Sequence, residues 1–311
     1  MFLKVSLVLS FILSGLLNTT SSIAEIPQKD GFVQVEGASL YYRVIGEGTP
    51  LLVLHGGPGL DHSYFIPQMQ VLSKDYKLIF FDQRGCGRSV EKVDSQSISI
   101  DRYLQDIEAI RNHFGLDKIN VFGHSFGALI AMRYAIRFPD QVNSLLLVNP
   151  TPASSAWRDS SFSMIRKKND PETTEKISKL MKTDDFRKRK SEAMSEFYRL
   201  SFRSSFYDPE KVNELSLHFQ ENYPESVKLI GQLNNDTTLI NYDLHSDLKK
   251  LNIPSLIIGA EADVVHPLAL EELHSALRRS HYILIESCGH FPFIEQPEQL
   301  LKSINKFFSK F

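Results

Sequence analysis

Residues 119–128 read Ile119-Asn120-Val121-Phe122-Gly123-His124-Ser125-Phe126-Gly127-Ala128. The stretch opens on apolar, β-branched and aromatic residues that suit a buried strand, and from Phe126 a run of helical period extends to Arg137. Between them stands Gly-x-Ser-x-Gly. A serine in a sharp strand-to-helix turn has its hydroxyl lifted clear of the sheet, and glycines on both sides keep neighbouring side chains away. The turn also leaves the Phe126 amide at a helix N-terminus, where it can donate to a developing oxyanion. A bare Gly-x-Ser-x-Gly says little, because small residues are common. Framed by a strand and a helix, it marks Ser125 as a candidate nucleophile.

Outward from this turn, short apolar runs predict strands over 32–36, 40–45, 51–54, 77–81, 119–122, 144–148, 255–258 and 282–285. Helical period is predicted over 103–114, 126–137 and 298–308. The first two strands are close enough to form a hairpin; the rest alternate with helices, which implies a mostly parallel sheet covered on both faces. Over 152–242 the rhythm stops, and the residues are polar, charged and helical in period. The segment reads as a helical lid inserted between the sixth and seventh strands, dividing the core into 25–151 and 243–311. Its run Arg187-Lys188-Arg189-Lys190 reads as a solvated helix face. The predicted fold class is therefore α/β, an eight-stranded mostly parallel sheet with helices on both faces and an inserted helical lid.

A serine hydroxyl is a poor nucleophile at neutral pH and needs a base, and the base needs a group to orient it. After the seventh strand comes Gly259-Ala260-Glu261-Ala262-Asp263, and after the eighth comes Ser287-Cys288-Gly289-His290. Both lie at the C-terminal ends of strands, the edge where doubly wound sheets bind ligands. His290 is the candidate base and Asp263 the candidate acid, with Glu261 as its rival; Asp263 is preferred because it lies further beyond the strand end. His55 and His124 adjoin motif glycines and read as packed, satisfied histidines. The loop His55-Gly56-Gly57-Pro58-Gly59 is where a second oxyanion donor is expected, Gly57 first and Gly56 next. It matches neither phosphate-binding glycine pattern.

Taken together, His55-Gly56-Gly57-Pro58-Gly59 and Asp82-Gln83-Arg84-Gly85-Cys86-Gly87-Arg88-Ser89 resemble the proline iminopeptidase family of serine aminopeptidases, within the α/β-hydrolase superfamily. The resemblance spans about 32–308 and is weakest across the lid. It implies release of an N-terminal residue, often proline, from a short peptide through an acyl-enzyme. The chain departs from the family pattern in having Phe126 where tryptophan is frequent. The family holds the substrate amine with lid glutamates, and at the corresponding end of this lid the nearest acid is Asp236; Glu192, Glu196 and Glu214 stand elsewhere in the lid. A carboxylesterase with the same triad is the alternative, and a binding protein without turnover a third class, against which the intact triad stands. Asp82 and Arg84 are expected to pair and brace the loops around the site, and Cys86 to be a small packed residue.

With 311 residues, 42% hydrophobic, and a net charge of −2, the composition asks for neither nucleic acid nor a membrane surface as partner; the expected partner is a small-molecule or short-peptide substrate. Acyl transfer by a triad calls for no metal or organic cofactor. Two cysteines, Cys86 and Cys288, are too few for a disulfide framework, and their pairing is open. Residues 1–24 combine Lys4, an apolar stretch and the small residues Ser22-Ile23-Ala24, as a secretory signal peptide does, with an uncleaved anchor as the alternative. A mature chain from Glu25 would be secreted or periplasmic.

Overall fold

The computed structural model of the chain describes residues 27–91, 93–168 and 170–310. The expected signal segment lies outside the described residues. Eight strands form one sheet: β1 (Gln28–Val35), β2 (Ala38–Ile45), β3 (Thr49–Leu54), β4 (Tyr76–Phe81), β5 (Ile119–His124), β6 (Val142–Val148), β7 (Ser255–Ala260) and β8 (Ser280–Ile285). Their order is β1-β2-β4-β3-β5-β6-β7-β8. The β1–β2 hairpin and the β2–β4 pair are antiparallel, and every other pairing is parallel. Each strand contains its predicted run apart from β1, which ends one residue short of it.

The central strands carry apolar residues at consecutive positions because both faces are covered. Leu52 and Leu54 of β3 enter one apolar cluster, and Leu51 and Val53 enter the other. Helices α1 (Ile100–His113) and α2 (Phe126–Arg137) cover the first face; Ile107, Ile110, Leu129 and Met132 are buried there. On the second face lie Met69 and Leu72 of a 3₁₀ turn, with Leu300, Ile304 and Phe307 from a C-terminal helix.

Between β6 and β7 come α3 (Arg158–Lys168), α4 (Pro171–Met181), α5 (Asp184–Arg187), α6 (Ser191–Phe202) and α7 (Tyr223–Gly231). No strand occurs among the described residues of this segment. It joins the core through a neck of two adjacent chain runs: Ser155 N donates to Tyr242 O at 2.9 Å, and Leu244 N donates to Ala153 O at 2.9 Å. Met194, Phe206, Val212, Phe219 and Tyr223 carry its apolar side into the second core cluster. The basic run stays wet, Arg187 pairing with Asp184 and Lys190 with Asp185 on the surface. A short α8 (His245–Leu248) leads into β7, α9 (Pro267–Ala276) joins β7 to β8, and α10 (Pro292–Glu295) and α11 (Pro297–Phe308) finish the chain. No helix among the described residues is long and apolar enough to cross a membrane.

Candidate active site

Ser125 stands between β5 and α2 with φ +54° and ψ −119°, a left-handed conformation that side chains rarely adopt. Its amide donates to Val148 O at 3.1 Å, and its carbonyl accepts from Thr151 N at 3.0 Å, so the end of β6 holds the turn. The flanking glycines are sterically required. A Cβ at Gly127 would lie 2.3 Å from Leu54 O, and one at Gly123 would lie 2.6 Å from Ala128 Cα.

The acid and base loops meet at the same edge. Ala262 N donates to Cys288 O at 2.8 Å, which joins the turn after β7 to the one after β8. Asp263, 2% exposed, accepts His290 Nδ1–H at 2.7 Å on Oδ1, the oxygen that also accepts from Val264 N. With Nδ1 donating, Nε2 of His290 keeps its lone pair for a proton. The rival Glu261 is exposed and accepts from Ser287 N.

His290 is held next to the elbow by His124, the residue before Ser125. His124 Nε2–H donates to His290 O at 2.8 Å, and the two rings are 4.8 Å apart. From the other side of His124, Tyr64 Oη–H donates to Nδ1 at 2.8 Å, and Tyr64 Oη accepts from Gly56 N at 2.6 Å. One relay thus runs from the glycine-rich loop to His290. Burial, then the neighbouring His290, holds the His124 imidazole well below its ordinary pKa. His55 is also saturated: Nδ1 donates to Gly56 O and Nε2 accepts from Gln83 N, and burial pulls its pKa to about 4. Both are the packed, satisfied histidines expected.

Because Gly56 N is committed to Tyr64, Gly57 is the candidate oxyanion donor from this loop. Gly57 has φ +118°, and a Cβ there would lie 2.9 Å from Gly59 N. Its counterpart, Phe126, opens α2, and its amide is among those a helix leaves without an internal partner.

The expected pairing of Asp82 with Arg84 is not what the structure contains. Asp82 accepts His62 Nδ1–H at 2.7 Å and Arg88 N at 2.9 Å, whereas Arg84 forks onto both oxygens of Asp106 and donates to Glu36 O and Ser97 Oγ. The reason is direction: past the end of β4 the chain turns, so that Asp82 faces His62 beyond the glycine-rich loop and Arg84 faces Asp106 of α1. Asp61, His62 and Asp82 bring one potential metal-ligating atom each within 4.8 Å of one another. Two are bonded to each other and Asp61 accepts from Ser63 N, so the set serves as a brace. Cys86 and Cys288 are buried free thiols, and burial pushes both pKa values up.

Asp236 caps α1, its Oδ2 accepting from Ile100 N at 2.8 Å. Glu192, Glu196 and Glu214 are exposed. The segment between β6 and β7 packs rings beside His290: Phe206 stacks on Phe291 at 4.8 Å and Phe202 meets Phe291 edge-on at 5.3 Å, while Tyr198 Oη lies 2.9 Å from Tyr223 Oη within the segment. Tyr64 and Asn149, whose Nδ2 donates to Gly289 O at 2.9 Å, escape a motif search because neither belongs to a chemical signature. Position alone would find them, one after the glycine-rich loop and one just past β6.

A mixed sheet whose C-terminal edge gathers a serine elbow, a carboxylate and a histidine, in that chain order, defines the α/β hydrolases. A family model described as the alpha/beta hydrolase fold matches residues 49–297, and the chain belongs to that family. Within it the chain is similar to the proline iminopeptidase of Clostridium botulinum, 27% identical over 288 residues that cover 90% of this chain and 98% of that protein. A crystal structure of a proline iminopeptidase-related protein from Thermus thermophilus superposes with a TM-score of 0.67 at 26% identity, covering 91% of this chain and 98% of that one. An esterase from Exiguobacterium antarcticum shares the fold, with a TM-score of 0.65 at 21% identity over 90% of this chain and 100% of that one.

Proposed function

We propose that the protein is a serine hydrolase acting through an acyl-enzyme, and that it is an aminopeptidase of the proline iminopeptidase type releasing N-terminal residues from short peptides. The observation that carries the chemistry is the buried Asp263–His290 pair fastened by His124 to the Ser125 elbow. Ser125 Oγ attacks the substrate carbonyl while His290 Nε2 takes its proton. The Gly57 and Phe126 amides receive the oxyanion. His290 then returns the proton to the departing amine, leaving an ester on Ser125. Water, deprotonated by His290, attacks that ester and releases the acid and the free serine. Similarity over nearly the whole chain to proline iminopeptidases supports the peptide substrate.

A carboxylesterase with the same triad is the second reading. The exposure of Glu192, Glu196 and Glu214, the use of Asp236 as a helix cap, and the aromatic lid side around Phe291 favour it. Hydrolysis of proline 4-nitroanilide beside 4-nitrophenyl acetate and butyrate separates the two, with Ser125→Ala as control. Serine-dependent cleavage of the anilide establishes the aminopeptidase; cleavage of esters alone makes it an esterase. Substantial turnover by Ser125→Ala removes the nucleophile assignment. The leader read from the sequence carries the further proposal that the mature chain begins near Glu25 and works outside the cytoplasm, which N-terminal sequencing of the processed protein tests.

A further inference from the structure

All four backbone polar groups of Gly289 and His290 are engaged, and two of them depend on the lid or on one buried carboxylate. The carbonyls accept from core side chains: Gly289 O from Asn149 Nδ2 at 2.9 Å and His290 O from His124 Nε2 at 2.8 Å. His290 N donates to Ser205 O at 2.7 Å, and Ser205 belongs to the segment between β6 and β7. Gly289 N donates to Glu295 Oε2 at 2.6 Å. The other oxygen of Glu295 faces the lid, accepting from Tyr207 N at 2.8 Å and Asp208 N at 3.1 Å.

One carboxylate, 6% exposed, therefore gathers three backbone amides from two parts of the chain. Charge-assisted bonds of this kind are about twice as strong as neutral ones, and losing the acceptor strands the buried Gly289 N–H and two part-buried N–H groups. The fit is close. A Cβ on Gly289 would lie 2.2 Å from Ser205 O and 2.8 Å from Phe206 Cα, so lid backbone rests directly against the loop that carries the base. Phe206 stacks on Phe291 at an interplanar angle of 17°, clamping the residue after His290 as well.

We propose that Glu295 is a positioning residue that, with Ser205 O, fastens lid residues 205–208 to the Gly289–His290 loop and so sets the placement of the imidazole. The proposal rests on His290 being the base of the proposed serine hydrolase. Glu295 contacts no reacting atom in this scheme and acts through the backbone. It follows that this corner of the lid stays attached during turnover and that any opening for substrate occurs elsewhere around the lid.

The test uses two variants of the full chain. Glu295→Gln keeps the volume but turns an amide NH₂ toward at least one backbone donor. Tyr207→Pro removes one of the three N–H groups; the Tyr207 side chain is exposed, and Phe206 before it is already extended (φ −95°, ψ 151°), as a proline requires. Two readouts are taken, kcat and KM on the better substrate, and the low-field NMR resonance of the His290 Nδ1 proton, assigned by its loss in His290→Asn. The expected result is a fall in kcat of at least tenfold with KM within about twofold in Glu295→Gln, a smaller fall in the same sense in Tyr207→Pro, and a broadened Nδ1 proton signal in both. A sharp, unshifted signal in both folded variants overturns the proposal, as does wild-type kcat. Should the wild type lack Ser125-dependent turnover, the hydrolase reading falls, and the NMR signal still decides whether Glu295 holds the imidazole.

Discussion

Tyr64 and His124 are joined by a 2.8 Å hydrogen bond, and through it the glycine-rich loop and the His290 loop share one support. Tyr64 is 1% exposed and His124 also 1%. Tyr64→Phe leaves Gly56 N and His124 Nδ1 without partners in a site closed to water. We expect a loss of about 1–3 kcal/mol in stability. Urea unfolding of the purified variant measures it, and an unchanged midpoint would show that another group replaces the hydroxyl.

Asp263→Asn tests the orienting acid. An amide in this place favours the wrong imidazole tautomer while keeping the volume, and kcat should drop by about 10⁴-fold with the fold retained. The companion Glu261→Gln should retain nearly full activity, because Glu261 serves only Ser287 N. Equal effects of the two changes would reverse the assignment.

Two glycines behave oppositely on substitution by alanine. Gly127→Ala drives a Cβ into the backbone of Leu54 and His55, neither of which can yield without moving the end of β3, and should cost about 3 kcal/mol or more. Gly231→Ala has open space and a helical backbone (φ −56°, ψ −24°), and should stabilise by about 0.5–1 kcal/mol. Thermal melting of the pair compares the two directly.

Acidification acts through the buried histidines. His55 titrates at about 4 when folded and near 6.5 when unfolded, so the unfolded chain binds the proton first. Stability from this group is complete above pH 6.5 and declines as the pH falls toward 4, by up to about 1.4 kcal/mol per pH unit. His124, also depressed, works in the same direction. Asp106, pushed up to about 6 by burial against the pull of Arg84, opposes them as the pH rises from 4 to 6. The histidine contribution is therefore read as the difference in unfolding midpoint between wild type and His55→Gln at pH 7 and pH 5. A difference that does not change with pH would mean that folding leaves the His55 pKa unshifted.

The sheet was legible because its strands carry runs such as Leu51–Leu54 and Leu145–Val148 that burial on both faces explains, and the turn because Gly123 is demanded by a steric contact with Ala128 inside it, whereas the need for glycine at 127 comes from the distant end of β3. The meeting of Asp263 with His290 was readable from the place of each after a strand. Glu295 was not. It looks like any acid near a C-terminal helix, and its partners Tyr207 and Asp208 lie more than 80 residues earlier. Arg84 was misjudged for the same reason, since Asp106 has the spacing of an ordinary helix acid and nothing local shows that it turns inward onto a guanidinium. Chemistry set by neighbouring residues can be read along a chain; a contact between distant segments depends on how they dock.

The neck through which residues 155–242 leave and rejoin the core has a consequence for descent. Ala153 with Leu244, and Ser155 with Tyr242, lie side by side, so the excursion begins and ends at nearly one point above the sheet. Such an insert can be exchanged for another of different length without changing the register of any strand. On the proposed chemistry, Ser125, His290 and Asp263 belong to the scaffold, while the aromatic side chains of residues 198–223 belong to the graft. A lineage can thus keep one reaction and change its diet by trading a single cassette, provided the newcomer still offers a carbonyl where Ser205 now meets His290.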